Sequence, residues 1–449
     1  MDIQRDIISQ FLKWKNNQHR QPLILQGARQ TGKSWTVQEF GRRYYDHIAI
    51  FNFDRQPELA SVFRETKEVR RILQGLALYT GVPLEAGKTL IFFDEIQECK
   101  EALNALKYFD EEAHEQHVIA AGSLLGVALN RNGSSFPVGK VQFMQMYPVT
   151  FREFLRTADS LLSDRVDALV YTGTSLPDTI FNQLLEYYRS FQLCGGMPRA
   201  TSAFLDGLGA DVVESILSDI LNAYAADFGK YVENKDVPRI HEVWRSIPSQ
   251  LSRENKKFIF HAVRSGARAR EYEASINWLS LAGMIHKIFV SETPSVPLSF
   301  YEDTTAFKIY LLDIALLRRL AHLPREIILT PGDLFKEFKG ALAENFVLNA
   351  LLAQGFESPQ YWTLQGNKSD VDFLITSGLD ILQIEVKSGE RISGKSLSVF
   401  EDKYRPALRL RFSLRNVKQD GNLLNLPIFL ADWLGHYLSS YLSAHPHAS

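Results

Sequence analysis

The stretch that most constrains this chain is Leu23-Ile-Leu-Gln-Gly-Ala-Arg-Gln-Thr-Gly-Lys-Ser34, a short apolar run that opens into a loop framed by glycines. Gly27, Ala28, Arg29, Gln30, Thr31, Gly32, Lys33 and Ser34 give the full Gly-x-x-x-x-Gly-Lys-Ser pattern of a phosphate-binding loop. A polyphosphate carries more charge than one side chain can meet. Successive backbone N–H groups must wrap it, with the next helix presenting the positive end of its dipole. Lys33 is expected at the β- and γ-phosphates and the Ser34 hydroxyl on Mg²⁺. The expected ligands are therefore ATP and Mg²⁺.

A phosphate loop needs an acidic partner, and Thr89-Leu-Ile-Phe-Phe-Asp94-Glu95 supplies one at the end of an apolar strand. Asp94 is expected to hold Mg²⁺ through its water shell, and Glu95 to orient or deprotonate the attacking water. His117-Val-Ile-Ala-Ala-Gly122-Ser123 reads as a further buried strand, and Ser123 is either a γ-phosphate sensor or a capping residue. Ile48–Phe53 and Phe143–Val149 are further strand candidates, and helices are expected over Ile3–Trp14, Trp35–Tyr45 and most of Pro57–Tyr79. Strands alternating with helices predict a parallel sheet covered on both faces, with ligands at the carboxyl ends of its strands.

From Phe151 to about Ala321 the pattern is mostly helical, broken near Pro177, Gly195-Gly196-Met197-Pro198, Pro238 and Pro248. A helix ending at Gly283 runs at once into a strand over Met284–Val290, and a helix running into a short hairpin is the layout of a winged helix. The run Arg253, Lys256, Lys257, His261, Arg264, Arg268, Arg270 reads equally as a solvated helix face or a nucleic-acid contact.

The last third carries a second acidic constellation. Glu344 lies on a helix expected over Asp333–Gln354, among small and apolar neighbours where a carboxylate is costly unless paired. Ser369–Ile375 and Ile381–Lys387 read as neighbouring strands bearing Asp372 and, two residues apart on one face, Glu385 and Lys387. Metal-dependent phosphodiester cleavage needs this set: Asp372 and Glu385 for Mg²⁺, Lys387 to polarise water or phosphate. Glu-x-Lys alone says little, since it recurs at Glu65, Glu98, Glu233, Glu254, Glu337 and Glu401. Only at Glu385 does it combine with an apolar strand, a preceding Asp and an upstream acidic helix.

At 449 residues the chain is expected to form several domains. With 50 basic and 52 acidic residues the net charge is −2, so any nucleic-acid surface must be local. Two cysteines, Cys99 and Cys194, exclude a disulfide framework or a cysteine-based zinc module and suit a reducing compartment. The polar N-terminus and the lack of a long apolar run predict a cytoplasmic protein without membrane association.

Together these pieces resemble the prokaryotic ATP-binding proteins that join an AAA-type ATPase domain to a winged helix and a PD-(D/E)XK, restriction-endonuclease-like α/β fold. The resemblance rests on residues 27–34, Asp94-Glu95, Tyr147-Pro148-Val-Thr-Phe-Arg-Glu153-Phe154, Gly195-Gly196-Met-Pro198, Phe307-Lys308-Ile-Tyr-Leu-Leu-Asp313, Gly340-Ala-Leu-Ala-Glu344-Asn345, Asp370-Val-Asp372 and Glu385-Val-Lys387. It implies a P-loop ATPase domain over 1–155, a helical and winged-helix-like region over 156–325 and a nuclease-like domain over 326–449. It also implies ATP hydrolysis, a nuclease-like set of Glu344, Asp372, Glu385 and Lys387, and DNA or RNA as partner. Self-assembly or a partner protein is left open, as is a non-catalytic C-terminal fold that binds DNA or protein. One departure is Lys140 after Gly139, where the family tends to carry arginine. A lysine lacks the planar, bidentate grip of an arginine finger.

Overall fold

The computed structural model describes residues 2–129, 139–253, 256–329, 336–364, 370–389 and 395–444. Asp333 and Ser369, the expected starts of a helix and a strand, lie outside these residues. The chain divides into two compact units. One comprises Arg5–Tyr147 with Asn277–Met284; the other comprises Pro148–Ile276 and Ile285–Ser449 with Met1–Gln4.

The first unit is built on five strands, β1 (Leu23–Gln26), β2 (His47–Asn52), β3 (Thr89–Asp94), β4 (His117–Ala121) and β5 (Gln142–Gln145), in the order β2-β3-β4-β1-β5 and all parallel. Side chains alternate across a strand, and this sheet is apolar in both directions. Ile24, Phe51, Ile91, Phe93, Val118 and Ala120 form one core with Leu59, Phe63, Ile72, Leu106 and Phe109. Leu23, Leu25, Leu90, Phe92, Ile119 and Ala121 form another with Ile7, Phe11, Trp14, Val37 and Phe40. Helices therefore cover both faces. Strand β5 stops at Gln145, short of the expected Val149, because the chain turns away at Tyr147-Pro148 and proline cannot donate to a ladder.

In the second unit, helical chain over residues 151–276 precedes a hairpin of β6 (Ile285–Ser291) and β7 (Glu302–Leu311). The hairpin expected after the helix is present, but it is not a free wing. Val290 of β6 pairs with Tyr361 of β8 (Gln360–Thr363). This joins it to β9 (Asp370–Ser377), β10 (Asp380–Val386), β11 (Arg409–Ser413), β12 (Lys418–Asp420) and β13 (Leu423–Pro427). The result is a mixed eight-stranded sheet, order β12-β13-β11-β10-β9-β8-β6-β7. The helix Lys336–Ala353 contacts β7 and β10 of this sheet. No helix among the described residues is long and apolar enough to cross a membrane.

Candidate ATP site and a second charged cluster

The order of the first sheet builds the site. Placing β4 between β1 and β3 aligns Leu25, Ala121, Asp94 and Asn52 in one row, since Leu25 pairs with Ala121, Ala121 with Asp94 and Asp94 with Asn52. The phosphate loop, Ser123 and Asp94-Glu95 thus emerge together at the carboxyl ends of parallel strands.

Gly27 has φ +148°, and a Cβ there would lie 2.3 Å from the Met146 carbonyl oxygen. Only glycine lets β1 turn into the loop this close to the end of β5. Gly32, at φ +91°, turns the chain into the helix Lys33–Tyr44. Thr31 closes the loop with a hydroxyl donated to the Ala28 carbonyl at 2.9 Å. Arg5, from the start of the chain, donates to the carbonyls of Thr31 at 2.9 Å and Tyr147 at 2.6 Å.

Lys33 Nζ donates to the carbonyls of Gly27 at 2.8 Å and Ala28 at 2.7 Å. Burial lowers its pKa to about 8, against the pull of Glu95 and Asp94. The Ser34 hydroxyl donates to Asp94 Oδ1 at 2.9 Å, and Asn52 Nδ2 donates to Asp94 Oδ2 at 3.0 Å. Burial nonetheless raises the pKa of Asp94, leaving a carboxylate that a cation would stabilise. Ser34 and Asp94 therefore fit an Mg²⁺ ion that also carries phosphate oxygens and water.

Glu95 sits in a left-handed conformation, φ 50°, that turns its side chain out of the strand line. Its Oε2 accepts from Gln97 Nε2 at 2.6 Å and from the Ser123 hydroxyl at 3.1 Å, and Ser123 accepts from Arg29 Nε at 3.2 Å. Ser123 therefore faces the acidic strand. Gln97 occupies the space beside Gly122, where a Cβ would lie 2.2 Å from its Oε1. Arg5, Asn52 and Gln97 were not visible as site residues in the sequence. The available signal for Asn52 was a polar residue ending a buried strand. Lys140 precedes β5, at the end of the sheet opposite the phosphate loop, and pairs with Asp110 and Glu111 at 3.4 Å each.

The second unit brings Glu344, Asp372, Glu385 and Lys387 to one place. Ile384 pairs with Phe373, which sets Asp372 alongside Glu385, and Asp372 Oδ2 accepts from the Val386 N–H at 2.8 Å. Glu385 lies 3.0 Å from Lys387 Nζ and accepts from Arg411 Nε at 3.1 Å, its neighbour across β11. Glu344 is bonded to Lys256 and to the Tyr310 hydroxyl at 3.1 Å. Burial disfavours charge on Glu344, but Lys256 and Lys308 outweigh it and hold its pKa below the usual carboxylate range. Burial and the Glu344 charge push Asp372 upward. Among the described residues, no group of three or more His, Cys, Asp or Glu side chains could hold a metal ion. Within the basic stretch, Lys256 is a half-buried partner of Glu344 rather than part of a solvated face, and Arg264 lies 3.7 Å from Glu242.

Residues 19–155 match the family described as AAA domain, residues 185–326 a domain of unknown function (DUF8612), and residues 339–429 another (DUF4143). No curated protein matches the chain in sequence. Among solved structures, the chain is similar to the Walker-type ATPase of Pyrococcus abyssi, at 14% identity and TM-score 0.44, covering 71% of this chain and 96% of that one. It is also similar to the Aeropyrum pernix ORC2 protein, at 13% identity and TM-score 0.33, covering 75% and 90%. The Thermotoga maritima RuvB Holliday junction branch migration motor follows at 15% identity and TM-score 0.29, covering 65% and 90%. The family match and the phosphate-loop sheet together give the first unit the fold of an AAA-type ATPase.

Proposed function

We propose that this protein binds and hydrolyses ATP with Mg²⁺ at the phosphate loop. The observation that carries this reading is the Ser34–Asp94 hydrogen bond, with Glu95 next in sequence and turned out of the strand. Bound Mg²⁺ would offset the negative charge of the β- and γ-phosphates. Lys33 leaves the carbonyls of its own loop to meet the phosphates, and the loop N–H groups complete the cradle. Glu95 orients the attacking water and accepts its proton, with Ser123 and Gln97 fixing its position. Ser123 also stands where it can respond to the γ-phosphate through Arg29.

The test is steady-state phosphate release by purified protein. Lys33→Ala should lose nucleotide affinity and turnover, while Glu95→Gln should keep nucleotide binding and lose about 10²–10⁴-fold in rate. Unchanged turnover in both variants would sink the proposal.

For the C-terminal region we infer a binding module for nucleic acid or a partner protein, in place of an active nuclease. The specific support is that Glu344 and Glu385 are each already paired with cationic side chains. Incubation with linear, nicked and single-stranded DNA and with RNA, in Mg²⁺ or Mn²⁺, checks this. Cleavage abolished by Asp372→Ala and by Lys387→Ala would establish the nuclease instead.

A further inference from the structure

A carboxylate pair buried beside a strand end needs positive charge, and an Mg²⁺-dependent site supplies it with the metal. This cluster has its own supply. Three carboxylates, Glu344, Asp372 and Glu385, face four cationic side chains. Lys256 is bonded to Glu344, Lys387 and Arg411 flank Glu385, and Lys308 is buried on β7 with its ammonium 4.5 Å from the centre of the Tyr361 ring. Lys308 and Tyr310 are two apart on β7 and so share a face, and the Tyr310 hydroxyl reaches Glu344. Both Lys256 and Lys308 act electrostatically on Asp372 as well as on Glu344.

We propose that the Lys256 ammonium is a resident cation that takes the place of a divalent metal between Glu344 and Asp372, making this carboxylate cluster metal-independent. The substitution changes the chemistry available. An ammonium offers three N–H donors and one charge, but no coordination position at which a water could be bound and acidified. Asp372 has one oxygen committed to the Val386 N–H, and Glu385 is held between Lys387 and Arg411. Both Glu344 oxygens, one Asp372 oxygen and Glu385 Oε2 are therefore already hydrogen-bonded within the protein, and Glu385 Oε1 faces the Lys387 ammonium at 3.0 Å. Lys256, which ends one of the recurrent Glu-x-Lys triplets, thus acquires a role.

The inference concerns the second unit only and holds whether or not the phosphate loop turns over ATP. It is tested with full-length, nucleotide-free protein by Mn²⁺ titration, reading free Mn²⁺ by electron paramagnetic resonance. Wild type and Asp372→Asn should bind Mn²⁺ alike. Lys256→Gln should gain a site about tenfold or more tighter than any in wild type, and the gain should vanish in Lys256→Gln/Asp372→Asn. Wild-type Mn²⁺ binding that Asp372→Asn removes would overturn the proposal, as would a folded Lys256→Gln protein with no gain. If Lys256→Gln fails to fold, the wild-type and Asp372→Asn comparison still decides the matter: equal binding supports the proposal and unequal binding refutes it.

Discussion

Replacing Gly27 with alanine tests how the phosphate loop is held against its sheet. The added Cβ would stand 2.3 Å from the Met146 carbonyl oxygen, at a φ of +148° that L-residues avoid. The backbone conformation costs about 1–2 kcal/mol, and forcing a methyl into filled space about 1–3 kcal/mol. Lost freedom in the unfolded chain returns about 0.4–1 kcal/mol. The net destabilisation is about 2–4 kcal/mol. Gly81→Ala is the control. Gly81 caps a helix at φ +61° with nothing within 4 Å of its would-be Cβ, so only the conformational cost applies, about 1 kcal/mol. With two units the chain need not unfold in one step. The quantity to read is the urea transition that ADP shifts, since nucleotide stabilises only the unit that binds it. Gly27→Ala should lower that midpoint well beyond Gly81→Ala and weaken ADP binding, because the displaced loop loses its cradle. Equal midpoints for the two variants would refute the close approach of Gly27 to β5.

Four further outcomes follow from named groups. With its pKa near 8, Lys33 is about half neutral at pH 8, so polyphosphate binding should take up about half a proton there. Calorimetry in buffers of different ionisation enthalpy reads the uptake, which should be absent at pH 6.5 and in Lys33→Arg. Because the folded pKa of Lys33 lies below the unfolded 10.5, the nucleotide-free protein should also gain stability as pH rises from about 8 to 10.5. His117 and His286 are both lowered by burial to about 4 from 6.5, so the unfolded chain binds more protons in that window. Stability should fall as pH drops from 6.5 towards 4, and His117→Gln and His286→Gln should each flatten the acid slope of their own unit. Asp313 caps the helix Ile314–Leu320 through the Leu316 N–H at 2.9 Å and accepts the buried Gly196 N–H at 2.6 Å. Asp313→Ala loses the cap and orphans a buried donor, a cost of about 2–4 kcal/mol, read in the unfolding transition that ADP does not shift.

The phosphate loop was legible because its chemistry is contiguous. Gly27, Gly32, Lys33 and Ser34 follow one another along one loop that leads from β1 into the helix Lys33–Tyr44. Asp94-Glu95 was legible for a related reason, since an apolar strand that ends in two carboxylates announces both its burial and where the burial stops. What stayed hidden acts through strand order and through main-chain acceptors. Asn52 reaches Asp94 only because β2 lies beside β3 in register, and the pattern of a six-residue strand cannot report which strand lies beside it. Arg5 donates to the carbonyls of Thr31 and Tyr147, and a carbonyl acceptor leaves no trace in residue type. The hairpin after residue 284 was legible as a hairpin, but its junction with β8 depends on a pairing between distant segments.

The second cluster was half legible, and the missing half has a specific cause. Glu344 drew notice because a carboxylate among small and apolar helix positions demands a partner. Lys308 poses the same question from the other side: it stands in the strand Ala306–Leu311, all of it buried, where an unpaired ammonium is as costly as an unpaired carboxylate. Two buried, opposite charges on a helix and a strand point to each other, so the cationic half of the cluster could have been anticipated from Phe307-Lys308-Ile-Tyr310. Lys256 could not. In sequence it stands in a run of seven basic residues, and nothing in such a run distinguishes the one that turns inward. Its contact with Glu344 converts an apparent metal-binding set into a charge-compensated one. Metal dependence is therefore decided by a lysine 88 residues away from the carboxylate it neutralises.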